Sequence, residues 1–402
     1  MGFVEKCTPV PTAFIWDPAM GEYFFGDHHP MHPSRLDVTS HLAESLGLYD
    51  LENITLEKPE AATDAQLQLV HSQEYIDRVK SVSADPDLVL TEYGLGTEDT
   101  PIFRGMHEAS ARLAGASYLA AELIANEKVL HAVNFAGGMH HASRNKASGF
   151  CIYNDCALAI QHLLDRGFSR VAYVDVDAHH GDGTQNIFWN DPRVLTISMH
   201  ETGMKLFPGT GFSNETGPEG KASGTSVNIA IPETASDADW IRAFDAVIPA
   251  VLKEFSPEII VSQHGCDSHQ SDTMSHLGIS IECQREIAAY MAVLAKELCQ
   301  DRWIATGGGG YSIYEAVPRA WTHLMAIAAG YPLNINLPTP ASWQKYVLEK
   351  YGVQAPVLMG DRAEVQWHTW EIGFNPEDAT DRSVMATRKA IFPLWGLDPW
   401  LD

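Results

Sequence analysis

The chain has 402 residues, of which 45% are hydrophobic and 20% charged, so it can bury a large core and is neither disordered nor fibrous. Asp and Glu number 52 against 27 Lys and Arg, which gives a net charge of -25 at pH 7. Such a surface repels phosphate backbones and anionic membranes, so we expect no nucleic-acid or membrane partner, whereas a cationic ligand such as a lysine-rich peptide or a polyamine would suit it.

The start of the chain and the cysteines predict a cytoplasmic protein. Residues 1–7 lack the basic and apolar regions of a secretory signal, and no run of 18 apolar residues follows anywhere in the sequence. The six cysteines are too scattered for a disulfide framework or a zinc knuckle. A reducing compartment fits this use of cysteine best.

The first 100 residues are the least regular part of the sequence. They contain an apolar run at residues 13–16 and helical patterns near 34–46 and 64–82. We expect them to complete the same domain as the more regular residues that follow.

From residue 130 onward, short apolar runs alternate with helical patterns, which predicts a parallel sheet. Most runs are rich in Val and Ile with little polar alternation, as in strands buried on both faces. The predicted strands are 129–135, 171–176, 194–199, 226–231, 258–263 and 303–306. The predicted helices are 105–125, 155–166, 239–254, 284–300 and 313–329, with Asp237 and Asp239 as candidate caps of the third.

Residues 331–402 contain five of the ten tryptophans and several prolines, so this segment is too aromatic for a disordered linker. We expect a C-terminal extension that packs on the domain formed by residues 1–330 or on a neighbouring subunit. A homo-oligomer is compatible with this expectation.

Ligands bind at the carboxyl ends of strands in open parallel sheets, so the residues after each predicted strand indicate a candidate site. Four strand ends carry histidines, carboxylates or a tyrosine, at residues 137–141, 175–182, 264–269 and 307–311. We expect these side chains to converge at one edge of the sheet.

Asp177 and His179 are two positions apart, so in an extended segment they point to the same face and can bind one metal ion. Asp267 from another strand end completes a three-ligand set that leaves positions for water and a substrate oxygen. Zinc suits this set, and iron, cobalt or manganese could also occupy it. For any one of these residues alone a hydrogen-bonded polar cluster is the better interpretation, but the combination predicts a metal site.

Adjacent His140 and His141 could act as base and acid in a hydrolysis, oriented by the nearby Asp175 and Asp182. A turn with one exposed and one buried histidine is the alternative. Tyr311, after four glycines, could donate a hydrogen bond to an oxyanion, or be an ordinary core tyrosine. The four glycines do not form a nucleotide loop, because no Lys and Ser or Thr follow in the required places.

Phe150 and Phe207 both lie on glycine-rich loops close to these segments. Together they could wall a narrow apolar slot, although isolated phenylalanines more often belong to the core.

These segments as a set resemble the histone deacetylase superfamily of metal-dependent deacetylases, and within it the bacterial acetoin-utilisation branch. The motifs that carry the resemblance are residues 26–35, 137–142, 147–155, 174–183, 200–211, 265–268 and 307–311. The resemblance implies one arginase-like α/β domain, with a central, mainly parallel sheet flanked by helices and the active site at the carboxyl ends of the strands.

The resemblance also implies roles for individual residues. One metal, usually zinc, is implied at Asp177, His179 and Asp267, beside the catalytic residues His140, His141, Tyr311, Asp175 and Asp182. His141 matches the principal base and acid, and His140 its assistant. The implied substrate-binding residues are Gly149, Phe150 and Phe207 at the acetyl-lysine tunnel, Asp99 at its rim and Arg35 at an internal acetate cavity. A structural potassium ion is implied at Asp175, Asp177, His179, Ser198 and Met199.

His269 and Cys266 depart from the residues most familiar in the eukaryotic enzymes, whereas the catalytic positions do not depart. The resemblance therefore implies a competent zinc-dependent deacetylase of acetyl-lysine in proteins, for which an acetylated acyl-coenzyme A synthetase is one candidate substrate.

Three other functions remain open. An acetylpolyamine amidohydrolase would use the same chemistry on an acetylated polyamine. An arginase-type hydrolase would need further carboxylates for a second metal, where Gly181 and His269 stand. A non-catalytic acetyl-lysine reader is disfavoured by the intact Tyr311 and ligand set.

Overall fold

The computed structural model describes residues 8–402, so the predicted absence of a signal at residues 1–7, and Cys7 with it, lies outside the described residues. The strands form one eight-stranded sheet in the order β2-β1-β3-β8-β7-β4-β5-β6, and all paired neighbours are parallel. They are β1 (Thr12–Ile15), β2 (Ile54–Glu57), β3 (His131–Asn134), β4 (Val171–Asp175), β5 (Val194–Glu201), β6 (Ser226–Ile231), β7 (Ile259–Gln263) and β8 (Trp303–Thr306). The predicted α/β fold is confirmed.

Eleven α-helices flank this sheet within residues 8–402. They are α1 (Ser34–Ser45), α2 (Asp64–Leu67), α3 (Gln73–Ala84), α4 (Met106–Ala125), α5 (Asp155–Asp165), α6 (Asp182–Phe188), α7 (Asp237–Phe255), α8 (Ile281–Leu298), α9 (Ala316–Ala328), α10 (Ala341–Tyr351) and α11 (Ala379–Trp395). None of the helices described is both long and apolar enough to cross a membrane.

The interior strands are buried on both faces, which explains their continuous apolar sequences. β2 was not predicted. It lies at the sheet edge, where Thr55 and Leu56 are exposed, and its four residues are too few to give a clear periodic signal.

The helix predicted at residues 64–82 is wrong, because the structure has two helices there. α2 ends at Leu67, and α3 starts after Ser72, whose hydroxyl accepts a hydrogen bond from the Tyr75 amide at 3.2 Å. Ser72 interrupts the predicted helix because it caps a new one, while the apolar residues on either side keep a helical spacing.

The predicted start and caps of α7 are also wrong. The helix begins at Asp237, and Ser236 is its N-cap. Asp239 is the third helical residue, where its carboxylate accepts from the Ser236 amide at 2.8 Å in a capping box. Similarly, α9 begins at Ala316 rather than at residue 313.

The C-terminal extension packs on the rest of the chain. Trp343 of α10 is buried in a small cluster with Val38 and Leu42 of α1, and its indole N–H donates to the Val38 carbonyl at 2.9 Å. α11 lies against α7 and β6, where the Thr387 hydroxyl donates to the Asn228 carbonyl at 2.6 Å.

Candidate active site

The four strand ends that carry the predicted site residues belong to β3, β8, β7 and β4, which are consecutive neighbours in the sheet. Because all four strands run in the same direction, their carboxyl ends meet at one edge. The loops after them line one small cavity. The predicted residues that line it are His140, His141, Gly149, Asp177, His179, Asp267 and Tyr311.

Asp177, His179 and Asp267 form a buried cluster whose potential ligand atoms lie within 4.8 Å of one another. The His179 Nδ1 atom lies 3.1 Å from an Asp177 oxygen and 2.9 Å from an Asp267 oxygen. Two carboxylates and one imidazole, together in a cavity, are a donor set that fits a divalent transition metal ion.

Backbone amides and one side-chain amide hold the carboxylates of this cluster in place. The Gly309 N–H and the Gln263 side-chain amide donate to Asp177 at 2.8 and 2.7 Å, and the Ala178 N–H donates to Asp267 at 2.9 Å. A Cβ on Gly309 would lie 2.0 Å from an Asp267 oxygen, so only glycine allows the backbone to come this close. The ligands are therefore oriented by the protein itself.

The places that a second metal would require are not occupied by carboxylates. Gly181 has no side chain, and a Cβ there would lie 2.2 Å from the Asp175 carboxylate. The His269 ring is directed to Asp361 in the C-terminal extension. Neither position therefore offers a carboxylate to the Asp177, His179 and Asp267 cluster.

Each of the adjacent histidines is bound to its own carboxylate. His140 Nδ1 lies 2.7 Å from Asp175, and His141 Nδ1 lies 2.7 Å from Asp182. The two Nε2 atoms are 3.1 Å apart. Asp175 is fixed in turn by the Tyr173 hydroxyl, which donates to it at 2.6 Å.

The environments of the two histidines move their pKa values in opposite directions. Burial lowers the pKa of His140, but the charges of Asp175 and Asp177 outweigh it and raise the pKa to about 9. Burial and the neighbouring His140 charge lower the pKa of His141 to about 4, in spite of Asp182. His141 is thus the neutral imidazole of the pair.

Tyr311 lines the same cavity, and its ring lies 5.7 Å from that of Phe150, edge to face. Its backbone N–H donates to the Asp272 carboxylate at 2.6 Å. Burial raises the pKa of Tyr311 well above its usual value, so the hydroxyl stays protonated and able to donate.

The predicted aromatic and rim residues lie next to residues that line the cavity. The Phe207 ring lies 5.0 Å from the His141 ring and is 45% exposed, whereas Phe150 is buried. The Gly149 N–H donates to the Asp99 carboxylate at 2.6 Å, which places Asp99 beside a residue of the cavity lining.

Eight predicted residues do not line this cavity. Asp175, Asp182, Phe150, Phe207 and Asp99 contact residues that do. Arg35, Ser198 and Met199 are the other three. Arg35 is behind the cavity, where its guanidinium donates to the carbonyls of Gly308 and Gly310 at 2.8 and 3.3 Å and borders a separate small void. Ser198 and Met199 are on β5, and the register pairs Ser198 with Asp175 of β4. Ser198 is thus adjacent to the end of β4, and Met199 follows it on β5, where it pairs with Ile229 of β6.

Sequence reasoning missed three residues of the site. Met31 and Cys151 line the cavity, and Gln263 contacts a metal-ligand candidate. Cys151 directly follows Phe150, and Gln263 is a polar residue at the end of an apolar strand, which was an available signal. Met31 carries no comparable signal.

Comparison with known proteins matches residues 29–328 to the histone deacetylase domain family. The chain is 41% identical over 387 residues to the acetoin utilization protein AcuC of Bacillus subtilis (strain 168), covering 95% of this chain and 97% of the relative. It is 37% identical to the proteins of the same name from Staphylococcus aureus (strain MSSA476), over 337 residues, and Staphylococcus xylosus, over 343 residues. These matches cover 83% of this chain and 85% and 88% of the respective relatives.

Proposed function

Because the chain belongs to the histone deacetylase family and resembles its acetoin-utilisation members along nearly its whole length, we propose that it is a zinc-dependent deacetylase of acetyl-lysine in proteins. The observation that carries the proposal is the single cavity in which His141, Tyr311 and the Asp177, His179, Asp267 cluster face one another.

The metal ligands in this proposal are Asp177, His179 and Asp267. When bound there, zinc would supply Lewis-acid polarisation of the acetamide carbonyl and acidify water.

His141 is the proposed base and acid. Its Nδ1 is bound to Asp182, which fixes the ring and leaves Nε2 to take a proton from the attacking water. As the new C–O bond forms and the C–N bond breaks, the same proton passes to the departing lysine amine. Acetate and free lysine are the products. His140, held by Asp175, has its Nε2 atom 3.1 Å from that of His141 and would assist it.

Tyr311 supplies the second polar interaction with the substrate. Its protonated hydroxyl would donate to the carbonyl oxygen, and the hydrogen bond would strengthen as negative charge develops there. Removal of one such donor typically costs about 100-fold in turnover.

The aromatic and rim residues next to the cavity support a lysine side chain as the substrate. Phe150 and Phe207 would flank its apolar methylene chain, and Gly149 and Asp99 would contact the substrate amide and backbone. Arg35, beside the inner void, is the proposed acetate contact.

The proposal also includes a structural potassium ion and a cytoplasmic location. Potassium would be held by Asp175, Asp177, His179, Ser198 and Met199, and the pairing of Asp175 with Ser198 supports this part of the proposal. The five cysteines of the described residues are free and buried, which supports a reducing cytoplasm.

The test is acetate release from an acetyl-lysine peptide and from an acetylated polyamine, measured side by side before chelation, after chelation and after zinc is restored. We expect zinc-dependent release that is faster from the peptide. Faster release from the polyamine would replace the substrate class, and release from neither would favour a reader of acetyl-lysine.

A further inference from the structure

His269, which departs from the familiar sequence pattern, joins the metal-ligand loop to the C-terminal extension. Its Nδ1 accepts from the backbone N–H of Ser271 at 3.1 Å, so the ring proton is on Nε2. That Nε2 donates to the Asp361 carboxylate at 2.8 Å. The His269 side chain is fully buried.

Asp361 receives two more donors from the body of the protein. The Ile281 backbone N–H donates to the same carboxylate oxygen at 2.9 Å, and Arg319 of α9 contacts the other oxygen at 2.8 Å. One extension residue therefore binds the loop after Asp267, the start of α8 and the first turn of α9.

The loop that Asp361 holds also holds Tyr311. The Asp272 backbone N–H donates to the His269 carbonyl at 2.8 Å, and the Asp272 carboxylate accepts from the Tyr311 and Ser312 amides at 2.6 and 3.0 Å. The Ser271 and Ser312 hydroxyls are 2.7 Å apart. The loop and the backbone of Tyr311 thus form one hydrogen-bonded unit.

We propose that Asp361 is a positioning residue through which the C-terminal extension fixes the Tyr311 hydroxyl at the reaction centre. The proposal rests on the proposed function, because its effect is measured through deacetylation. Asp361 does not line the cavity, and its side chain reaches the loop through His269.

The test begins with Asp361→Asn, which leaves one acceptor oxygen and puts an NH₂ group against either Arg319 or the His269 and Ile281 donors. We expect kcat to fall ~10-fold, less than the loss of a whole oxyanion donor, while KM and zinc content stay near their wild-type values.

Asp381→Asn is the matched control. Asp381 is another buried extension carboxylate with three donors, two from Arg242 and one from the Asn375 amide, but it contacts no residue of the loop at 268–272. We expect this variant to lose thermal stability and to keep its kcat.

A double-mutant cycle with Tyr311→Phe separates positioning from general loosening. If Asp361 acts through the Tyr311 hydroxyl, Asp361→Asn will lower kcat in the wild-type background and have little effect in the Tyr311→Phe background. Equal losses in both backgrounds, an unchanged kcat, or loss of zinc would each overturn the proposal. A failure of the proposed function would show separately, as an unchanged kcat in Tyr311→Phe alone. A failure of the Asp361 proposal would leave the loss of kcat in Tyr311→Phe intact.

His269→Gln and His269→Ala provide a second measurement if Asp361→Asn does not fold. Glutamine can still donate to Asp361 and accept from Ser271, whereas alanine cannot. We expect the glutamine variant to retain several-fold more kcat than the alanine variant; equal values would overturn the proposal.

Discussion

Two carboxylate–imidazole pairs, His140 with Asp175 and His141 with Asp182, lie side by side at the candidate site. A carboxylate bound to Nδ1 fixes the ring and its tautomer, so Nε2 is presented to the cavity. That these residues converge could be predicted from the sequence, because the histidine pair follows β3 and the two aspartates lie at or after the end of β4, in one parallel sheet. The contact of Gln263 with Asp177 could not, because the residues are 86 positions apart and strand order decides their proximity.

Gly149 provides a prediction at the scale of one residue. A Cβ at this position would lie 2.2 Å from the His141 ring, and its φ of +53° is left-handed. We expect Gly149→Ala to displace His141 and lower kcat at least ~10-fold, since small misplacements of reacting groups are costly. Steady-state acetate release measures the change.

Gly47→Ala is the control for the backbone strain alone. Its φ is +73°, and nothing lies within 4 Å of an added Cβ. Both variants should lose ~1 kcal/mol or more in free energy of unfolding, but only Gly149→Ala should lose activity. Full activity in Gly149→Ala would contradict the placement of His141.

At the scale of elements, the central strands could be predicted because burial on both faces leaves a continuous apolar run. The amphipathic helices could be predicted because burial of one stripe leaves a periodic signal. The short edge strand β2 and the short helices α2 and α6 have too few residues for such a signal. Ser72 and Ser236 show a second reason, since a cap is decided by local hydrogen bonds that apolar spacing does not encode.

Trp343 anchors α10, the first helix of the extension. Its side chain is fully buried against Val38 and Leu42 and donates to a backbone carbonyl of α1. We expect Trp343→Ala to lower the free energy of unfolding by ~3 to 5 kcal/mol, as for other buried aromatic residues. Leu348→Ala on the exposed side of the same helix should change it by less than ~0.5 kcal/mol. Chemical denaturation measures both, and equal effects would contradict the packing.

Asp361 makes the attachment of the extension dependent on pH. Burial alone raises the pKa of its carboxyl, but hydrogen bonds from His269 and Ile281 and the charge of Arg319 outweigh it and hold the pKa below its usual 3.8. A carboxyl group whose pKa is lower in the folded state than in the unfolded state stabilises the fold. This stabilisation is complete above the unfolded-state pKa and is lost as the pH falls toward the folded-state pKa.

The difference in Tm between the wild type and Asp361→Asn should therefore be full at pH 7 and shrink below about pH 4. Two ionisable groups face this carboxylate, His269 and Arg319. The Glu282 carboxylate accepts a hydrogen bond from the Asp361 backbone N–H. Thermal unfolding at several pH values measures this difference in Tm. A difference that grows on acidification would show that Asp361 is not held as a carboxylate.

At the scale of the whole molecule, one parallel sheet brings together candidate site residues that are distant in sequence. The C-terminal extension packs on α1, α7 and β6. The net charge of -25 would attract a cationic segment around an acetylated lysine as readily as it would attract a polyamine. The charge therefore cannot separate the two substrates. In the proposed function, Phe150 and Phe207 would flank the methylene chain of either substrate.

The central claim is that this cavity catalyses deacetylation with Tyr311 as a donor to the carbonyl oxygen. Tyr311→Phe tests it most directly, because phenylalanine retains the ring packing against Phe150 and removes only the hydroxyl. With zinc content measured on the same sample, we predict one zinc per chain in both proteins and a kcat that is ~100-fold lower in the variant. A zinc-loaded variant whose kcat stays within about threefold of the wild type would contradict the claim.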